Sequence, residues 1–221
     1  MIMHSSVQNL INIKKLIDDN LNNLKINKVP KIIAVSKTFS IDKITPLIEY
    51  GHTDFGENKV QEAIDKWTIL KKNNQNINLH LIGGLQTNKV KFAVKIFNYI
   101  HSVDSEKLAK KIFEEQKKQN KRVKIFIQVN IGDEKQKSGI TKSLLTSLYS
   151  YCKSLNLDVI GLMCIPPLDE SSIDYFKEMN ILNKNLGLNE LSMGMSADYI
   201  NAIKNSATYL RIGSNIFGKR T

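Results

Sequence analysis

Two rhythms of apolar and polar residues alternate along this chain. From Ser5 to Ile26 the apolar residues Val7, Leu10, Ile13, Ile17, Leu21 and Leu24 recur every three or four positions, which predicts one amphipathic helix with Ser5 or Ser6 as its cap. Pro30 then opens the run Ile32, Ile33, Ala34 and Val35, short, β-branched and uninterrupted, the pattern of a parallel strand buried on both faces. Helical periodicity returns at about Ser40 to Tyr50, Asn58 to Lys71, Thr87 to Phe97, Ser105 to Gln119, Thr141 to Leu155, Ser172 to Leu186 and Ala197 to Asn205. Between these segments lie short apolar runs at Thr53–Phe55, Leu79–Ile82, Tyr99–Val103, Val123–Val129, Val159–Ile165, Glu190–Met193 and Tyr209–Ile212.

With the run before Lys37, the pattern predicts eight strands in alternation with helices. Such alternation implies parallel strands with right-handed crossovers, and eight units in 221 residues match one closed (β/α)8 TIM barrel over residues 1–221, preceded by an extra helix at about 5–26. An open doubly wound sheet is the alternative. It is disfavoured because no Gly-x-Gly-x-x-Gly turn follows the first strand, and because polar residues follow most of the strands instead of gathering at one switch point.

Composition changes the picture only by exclusion. No apolar stretch approaches the roughly 20 residues that span a bilayer, and Met1–Ser6 lacks a basic segment followed by an apolar signal core, so a soluble cytoplasmic protein without membrane contact is expected. Cys152 and Cys164 lie in apolar surroundings with no Cys-x-x-Cys spacing, which points to packed thiols and to no metal site. The net charge of +11 raises nucleic acid as a partner. The basic residues are nearly all lysines spread along the chain, however, with arginine only at Arg122, Arg211 and Arg220, and no basic run interleaved with aromatics. No nucleic-acid partner is expected.

The chemistry collects where strands end. Residues leaving the runs are Lys37, Gly56–Asn58, Gly83–Gly84, Asp104, Asn130, Pro166–Pro167, Gly194–Ser196 and Gly213–Ser214, and in a barrel these meet at one rim. Lys37 is an amine delivered by a buried strand, where a partly desolvated ammonium loses its proton more readily and can attack a carbonyl. The plain alternative is a solvated lysine after a strand. Gly213–Ser214 leaves the last run and opens a turn whose backbone N–H groups favour an anion, and Ser196 arrives from the neighbouring strand with a second hydroxyl. An amine facing an anion cup suits a phosphorylated aldehyde, and pyridoxal phosphate fits. Arg211, two positions before the cup, can then face the ring nitrogen; guanidinium only donates hydrogen bonds, so it would hold that nitrogen unprotonated and weaken the electron sink.

The segments Ala34–Thr38, Phe55–Glu62, His80–Lys89, Gln128–Gly132, Lys137–Gly139, Gly161–Pro167, Leu191–Asp198 and Arg211–Arg220 together resemble the pyridoxal-phosphate homeostasis protein family, itself similar to the N-terminal barrel of alanine racemase. The resemblance runs in order from about Lys31 to Arg220. It implies a barrel of the alanine racemase N-terminal type with pyridoxal 5'-phosphate held as a covalent aldimine on Lys37. It further implies that Met193, Ser196, Gly213 and Ser214 hold the phosphate end, that Arg211 faces the ring nitrogen and that Asn58 lies beside the cofactor. Two departures, Ser206–Thr208 in place of Gly-Ala-Thr and a missing arginine after Pro167, bear on a partner surface rather than on this shell.

His80, inside an apolar strand, is expected to be a hydrogen-bonded structural residue, with a role in supporting the site from behind as the alternative, and His4, His52 and His101 show no metal-ligand spacing. The expected function is a monomeric protein that buffers or delivers pyridoxal phosphate, with apoenzymes that require it as partners, and with no catalytic residues. The rival is a racemase or lyase acting on amino acids. Stereoinversion needs an acid–base group on each face of the cofactor, and the chain stops just after the anion cup, before any second domain that could bring one.

Overall fold

The computed structural model describes residues 3–167 and 172–218, so the stretch directly after Pro167 and the end of the last resemblance segment lie outside the described residues. Eight parallel strands close into a barrel in sequence order: β1 (Lys31–Val35), β2 (Asp54–Glu57), β3 (Asn78–Leu81), β4 (Tyr99–Val103), β5 (Lys124–Gln128), β6 (Asp158–Met163), β7 (Glu190–Met195) and β8 (Tyr209–Ile212). β8 pairs back onto β1, with Ile33 opposite Arg211, so the sheet has no edge and the open doubly wound alternative is excluded.

Helix α1 (Ser5–Leu24) precedes the barrel, and α2 (Ile41–Glu49), α3 (Val60–Asn73), α4 (Val90–Ile96), α5 (Glu106–Gln119), α6 (Leu145–Ser154), α7 (Ser172–Asn185), α8 (Tyr199–Lys204) and α9 (Ser214–Phe217) follow the strands in turn. α1 buries the expected stripe Val7, Leu10, Ile13, Ile17 and Leu21, each full burial contributing roughly 1.5–3 kcal/mol. Leu24 is left exposed because the helix ends there on Lys25 in the left-handed conformation. The cap is His4 rather than Ser5 or Ser6: its imidazole accepts the Ser6 N–H. Asn9 Nδ2 donates to Ile216 O at 3.0 Å, tying α1 to α9.

Three boundaries shift in ways that bear on the site. β2 runs on through Gly56 and Glu57, so these residues belong to the barrel wall and not to the loop after it. The starts expected at Thr87 and Thr141 are single 3-10 turns, Thr87–Lys89 and Lys142–Leu144, before α4 and α6. The last crossover helix shrinks to α8 because Asp198 accepts the Met195 N–H at 2.6 Å and holds 196–198 as a turn. The barrel interior is filled by Ile33, Tyr99, Phe126, Met163 and Tyr209 together with His80, His101, Ser192 and Arg211, all buried, while Phe55, Trp67, Leu79 and Met193 belong to the larger core outside the ring.

Candidate functional site

At the carboxyl ends of the strands lies a cleft of about 630 Å³. Its first wall is the exit of β1. Ser36 is fully buried and donates its hydroxyl to Glu57 Oε1 at 2.7 Å; Lys66 Nζ donates to Ser36 O at 2.9 Å; the Thr38 N–H donates to Glu62 Oε1 at 2.6 Å. Lys37 is therefore gripped on both sides. The grip is itself a charged cluster from β2 and α3, with Lys66 Nζ 3.0 Å from Glu57 Oε1 and 3.1 Å from Glu62 Oε1, and Trp67 Nε1 donating to Glu57 at 2.9 Å. Burial alone would raise the Glu62 carboxyl, but the Thr38 N–H and the Lys66 ammonium outweigh it and hold the group below its ordinary value. Thr38 adopts φ of 69°, a turn that a non-glycine residue keeps only when its neighbours hold it.

The opposite wall is built by β7 and β8. Asn215 joins the two exits, its N–H reaching Ser196 Oγ at 3.4 Å and its side-chain amide donating to Ser196 O at 3.0 Å. Ser196, Gly213 and Ser214 thus stand together at the mouth of the short α9. A Cβ at Gly213 would sit 3.4 Å from Val35 Cβ, so the β8 exit lies directly against the β1 exit. Phe39 stacks on Phe217 with centroids 4.8 Å apart, joining the Lys37 loop to α9.

Arg211 closes the floor. It is buried, and donates from Nη1 to Ser192 Oγ and from Nη2 to Cys164 O, each at 2.8 Å. Burial pulls its pKa downward, yet a guanidinium with five N–H donors keeps its charge in a protein, and two bonds leave three donors for the cleft. On the third side, Asn58 Oδ1 is buried without a hydrogen-bond partner. Gly83 presses on that residue from the loop after β3: a Cβ there would come within 2.4 Å of Asn58 O, so only glycine allows this approach.

Lys37, Asn58, Ser196, Arg211, Gly213 and Ser214 all line the cleft, so six of the seven expected site residues come together. Met193 does not. Strand alternation sends Ser192 inward and turns Met193 into the outer core, while beyond the irregularity between Ser192 and Met195 it is Met195 that reaches the cleft. Asp104 and Asn130 also leave the β4 and β5 ends without lining it; burial raises the Asp104 carboxyl, and Asn130 instead closes its own loop, donating to Glu134 O at 2.9 Å.

Pro167 stands behind that same loop, where its ring packs on Gly132. The clamp of Glu57, Glu62, Lys66 and Trp67 was not foreseen, although the i,i+4 spacing of Glu62 and Lys66 and the lone tryptophan beside them carried the signal. Cys152 and Cys164 are buried free thiols, both pushed up to about 12 by burial. Among the described residues no helix is long and apolar enough to cross a membrane.

The profile of the family described as alanine racemase, N-terminal domain, matches residues 14–221. The chain is 38% identical over 200 residues to the pyridoxal phosphate homeostasis protein of Aquifex aeolicus, covering 86% of this chain and 87% of that one. Its fold superposes with a TM-score of 0.79 on PipY of Synechococcus elongatus with pyridoxal phosphate bound, at 31% identity, over 91% of this chain and all of that one. Alanine racemase of Clostridium difficile shares the fold at 18% identity and a TM-score of 0.70, the match spanning 92% of this chain and 56% of the racemase.

Proposed function

The chain belongs to the pyridoxal phosphate homeostasis protein family, and from that premise we propose that it binds pyridoxal 5'-phosphate in the rim cleft, attached covalently at Lys37, and buffers or delivers the cofactor without significant catalysis. The observation that carries this reading is the meeting of Lys37, Arg211 and the Ser196/Ser214 pair around one cleft from three separate parts of the chain. The residues fit the group: the buried, unpartnered Asn58 Oδ1 and the spare donors of Arg211 are polar groups that a polar ring between amine and anion would satisfy.

When bound, pyridoxal phosphate supplies an aldehyde for an amine and a ring that can withdraw electrons. Lys37 provides the amine, held by the Glu57–Lys66–Glu62 clamp; Gly213, Ser214 and Ser196 provide donors to the phosphate; Arg211 donates toward the ring nitrogen; Asn58 flanks the ring. Met193 contributes through its strand's placement of Met195 and Ser196 and not through its own side chain. Among the described residues lining the cleft, Lys37 is the side chain suited to exchanging a proton at carbon, since no tyrosine, histidine, cysteine or carboxylate is among them. One such group serves one face. Delivery to apoenzymes, a cytoplasmic location and a monomeric state belong to the same proposal.

The test is to load the protein with pyridoxal phosphate and incubate it with L-alanine, L-serine and L-lysine in deuterated water. Tight retention of the cofactor with at most slow Cα exchange and retained configuration is expected. Rapid formation of a D-isomer, lost in Lys37→Ala, would replace this reading with the racemase one.

A further inference from the structure

Arg211 is one end of a hydrogen-bond chain that crosses the barrel interior. Its Nη1 meets Ser192 Oγ at 2.8 Å; Ser192 Oγ lies 2.9 Å from His101 Nδ1; His101 Nε2 lies 3.0 Å from His80 Nδ1; His80 Nε2 lies 3.0 Å from Asp54 Oδ1. The chain passes from β8 through β7, β4 and β3 to β2, and ends near the opposite mouth of the barrel, beside Lys31 and His52. Both imidazoles are fully buried, His80 stacked on Tyr99 with centroids 4.2 Å apart and His101 on Phe126 at 4.3 Å.

The chemistry of the ends dictates the direction of every link. Arginine can only donate, and an ionised aspartate can only accept. Burial opposes that ionisation, but the bonds from His80 and Thr53 outweigh it and hold Asp54 below the ordinary carboxylate range. A neutral imidazole offers one donor and one acceptor, and the serine hydroxyl has one proton to give. Four links between a pure donor and a pure acceptor then close in one way: Arg211 donates to Ser192, Ser192 to His101 Nδ1, His101 Nε2–H to His80 Nδ1, and His80 Nε2–H to Asp54. A cationic His80 would also satisfy the contacts by reversing the middle links. Its burial, next to the like charges of Lys31 and Lys71 and against the attraction of Asp54, pulls it toward the neutral form; His101, buried and facing His80 and Arg211, is pulled further the same way.

We propose that Asp54, His80, His101 and Ser192 form a one-way positioning chain, both histidines neutral and protonated on Nε2, which fixes the Arg211 guanidinium beneath the cleft and gives it a countercharge at the other barrel mouth. The role in cofactor binding rests on the reading of the cleft given above; the direction of the chain does not. Because the chain is locked at both ends, it holds a charge in place and does not pass a proton along. Asp54 touches nothing in the cleft, so it reports on Arg211 only through the chain.

Nitrogen-15 spectra of histidine-labelled protein without cofactor test the direction. Both rings should appear as neutral Nε2–H tautomers, unchanged over about pH 5.5–8, the range in which a free histidine titrates. In Asp54→Asn the terminal amide can donate as well as accept, so a second set of ring signals from the reversed chain should appear, and pyridoxal phosphate should leave roughly fivefold to tenfold faster. Ser192→Ala, which cuts the chain next to Arg211, should show the same faster loss if Asp54→Asn does not fold. An Nδ1–H tautomer or a charged ring in the unaltered protein would overturn the chain; cofactor loss unchanged in both variants would overturn its positioning role. An unaltered protein that retains no pyridoxal phosphate would instead refute the reading of the cleft, while the ring signals would still decide the chain.

Discussion

Ser196 and Ser214 follow different strands, and what brings them together is Asn215, which binds the backbone oxygen of one while opening the helix that starts with the other. Replacing both with alanine should leave the Lys37 side of the cleft intact. Each hydrogen bond lost to a charged group is worth roughly 1.5–3 kcal/mol. Pyridoxal phosphate should therefore dissociate at least tenfold faster on dilution, with its visible absorption band little changed; equal dissociation from the double variant and the unaltered protein would remove the phosphate from this corner. At this scale the sequence revealed the residues that leave strands, because an amine, a Gly-Ser pair and an arginine at strand ends are chemically conspicuous. Met193 shows the limit: whether a strand residue faces cleft or core depends on the register at the β7–β8 irregularity between Ser192 and Met195, which no local pattern discloses. His101 and Ser192 were silent for a related reason, since their partners lie 21 and 91 residues away.

Among the elements, β2 and α3 matter most, because together they hold the loop on which Lys37 rides. Glu57 is fully buried and accepts from Ser36, Lys66 and Trp67 through one oxygen. Lys66→Met would leave that carboxylate without its cation, and breaking a buried pair from one side costs about 3–5 kcal/mol. Urea titration should show such a loss, and the surviving folded protein should take up pyridoxal phosphate more slowly. Glu62 adds a pH dependence whose sign follows from its lowered carboxyl: its contribution is fully present above the ordinary glutamate value of about 4.3 and is lost as pH falls through the lower folded value. Protection of the Thr38 amide against hydrogen exchange should fall on acidification below about pH 4, and Glu62→Gln should flatten that change. Periodicity located the eight strands and helices α1 to α8 to within a few residues, since burial on one or two faces is a local property of the chain, but not the short α9. It missed the two 3-10 turns and the true extent of β2, where Gly56 and Glu57 read as loop residues yet are held in the wall by pairing with His80 and Leu81.

At the scale of the whole molecule, closure of β8 onto β1 is what sets the two halves of the cleft face to face, Arg211 lying in register with Ile33, four residues before Lys37. The positive balance of +11 comes from lysines spread along the sequence, with no basic run interleaved with aromatics, so retention on nucleic acid should be weak, independent of sequence and steeply weakened by added salt. Sequence-selective binding that persists at high salt would contradict this. The central claim is that the amine of Lys37 attaches pyridoxal phosphate in the rim cleft, and borohydride tests it most directly. Reduction of the loaded protein should bleach the visible band and fix the cofactor's mass irreversibly on the peptide that contains Lys37, with no fixation in Lys37→Ala. Label on another lysine, or an unchanged band in Lys37→Ala, would contradict the account.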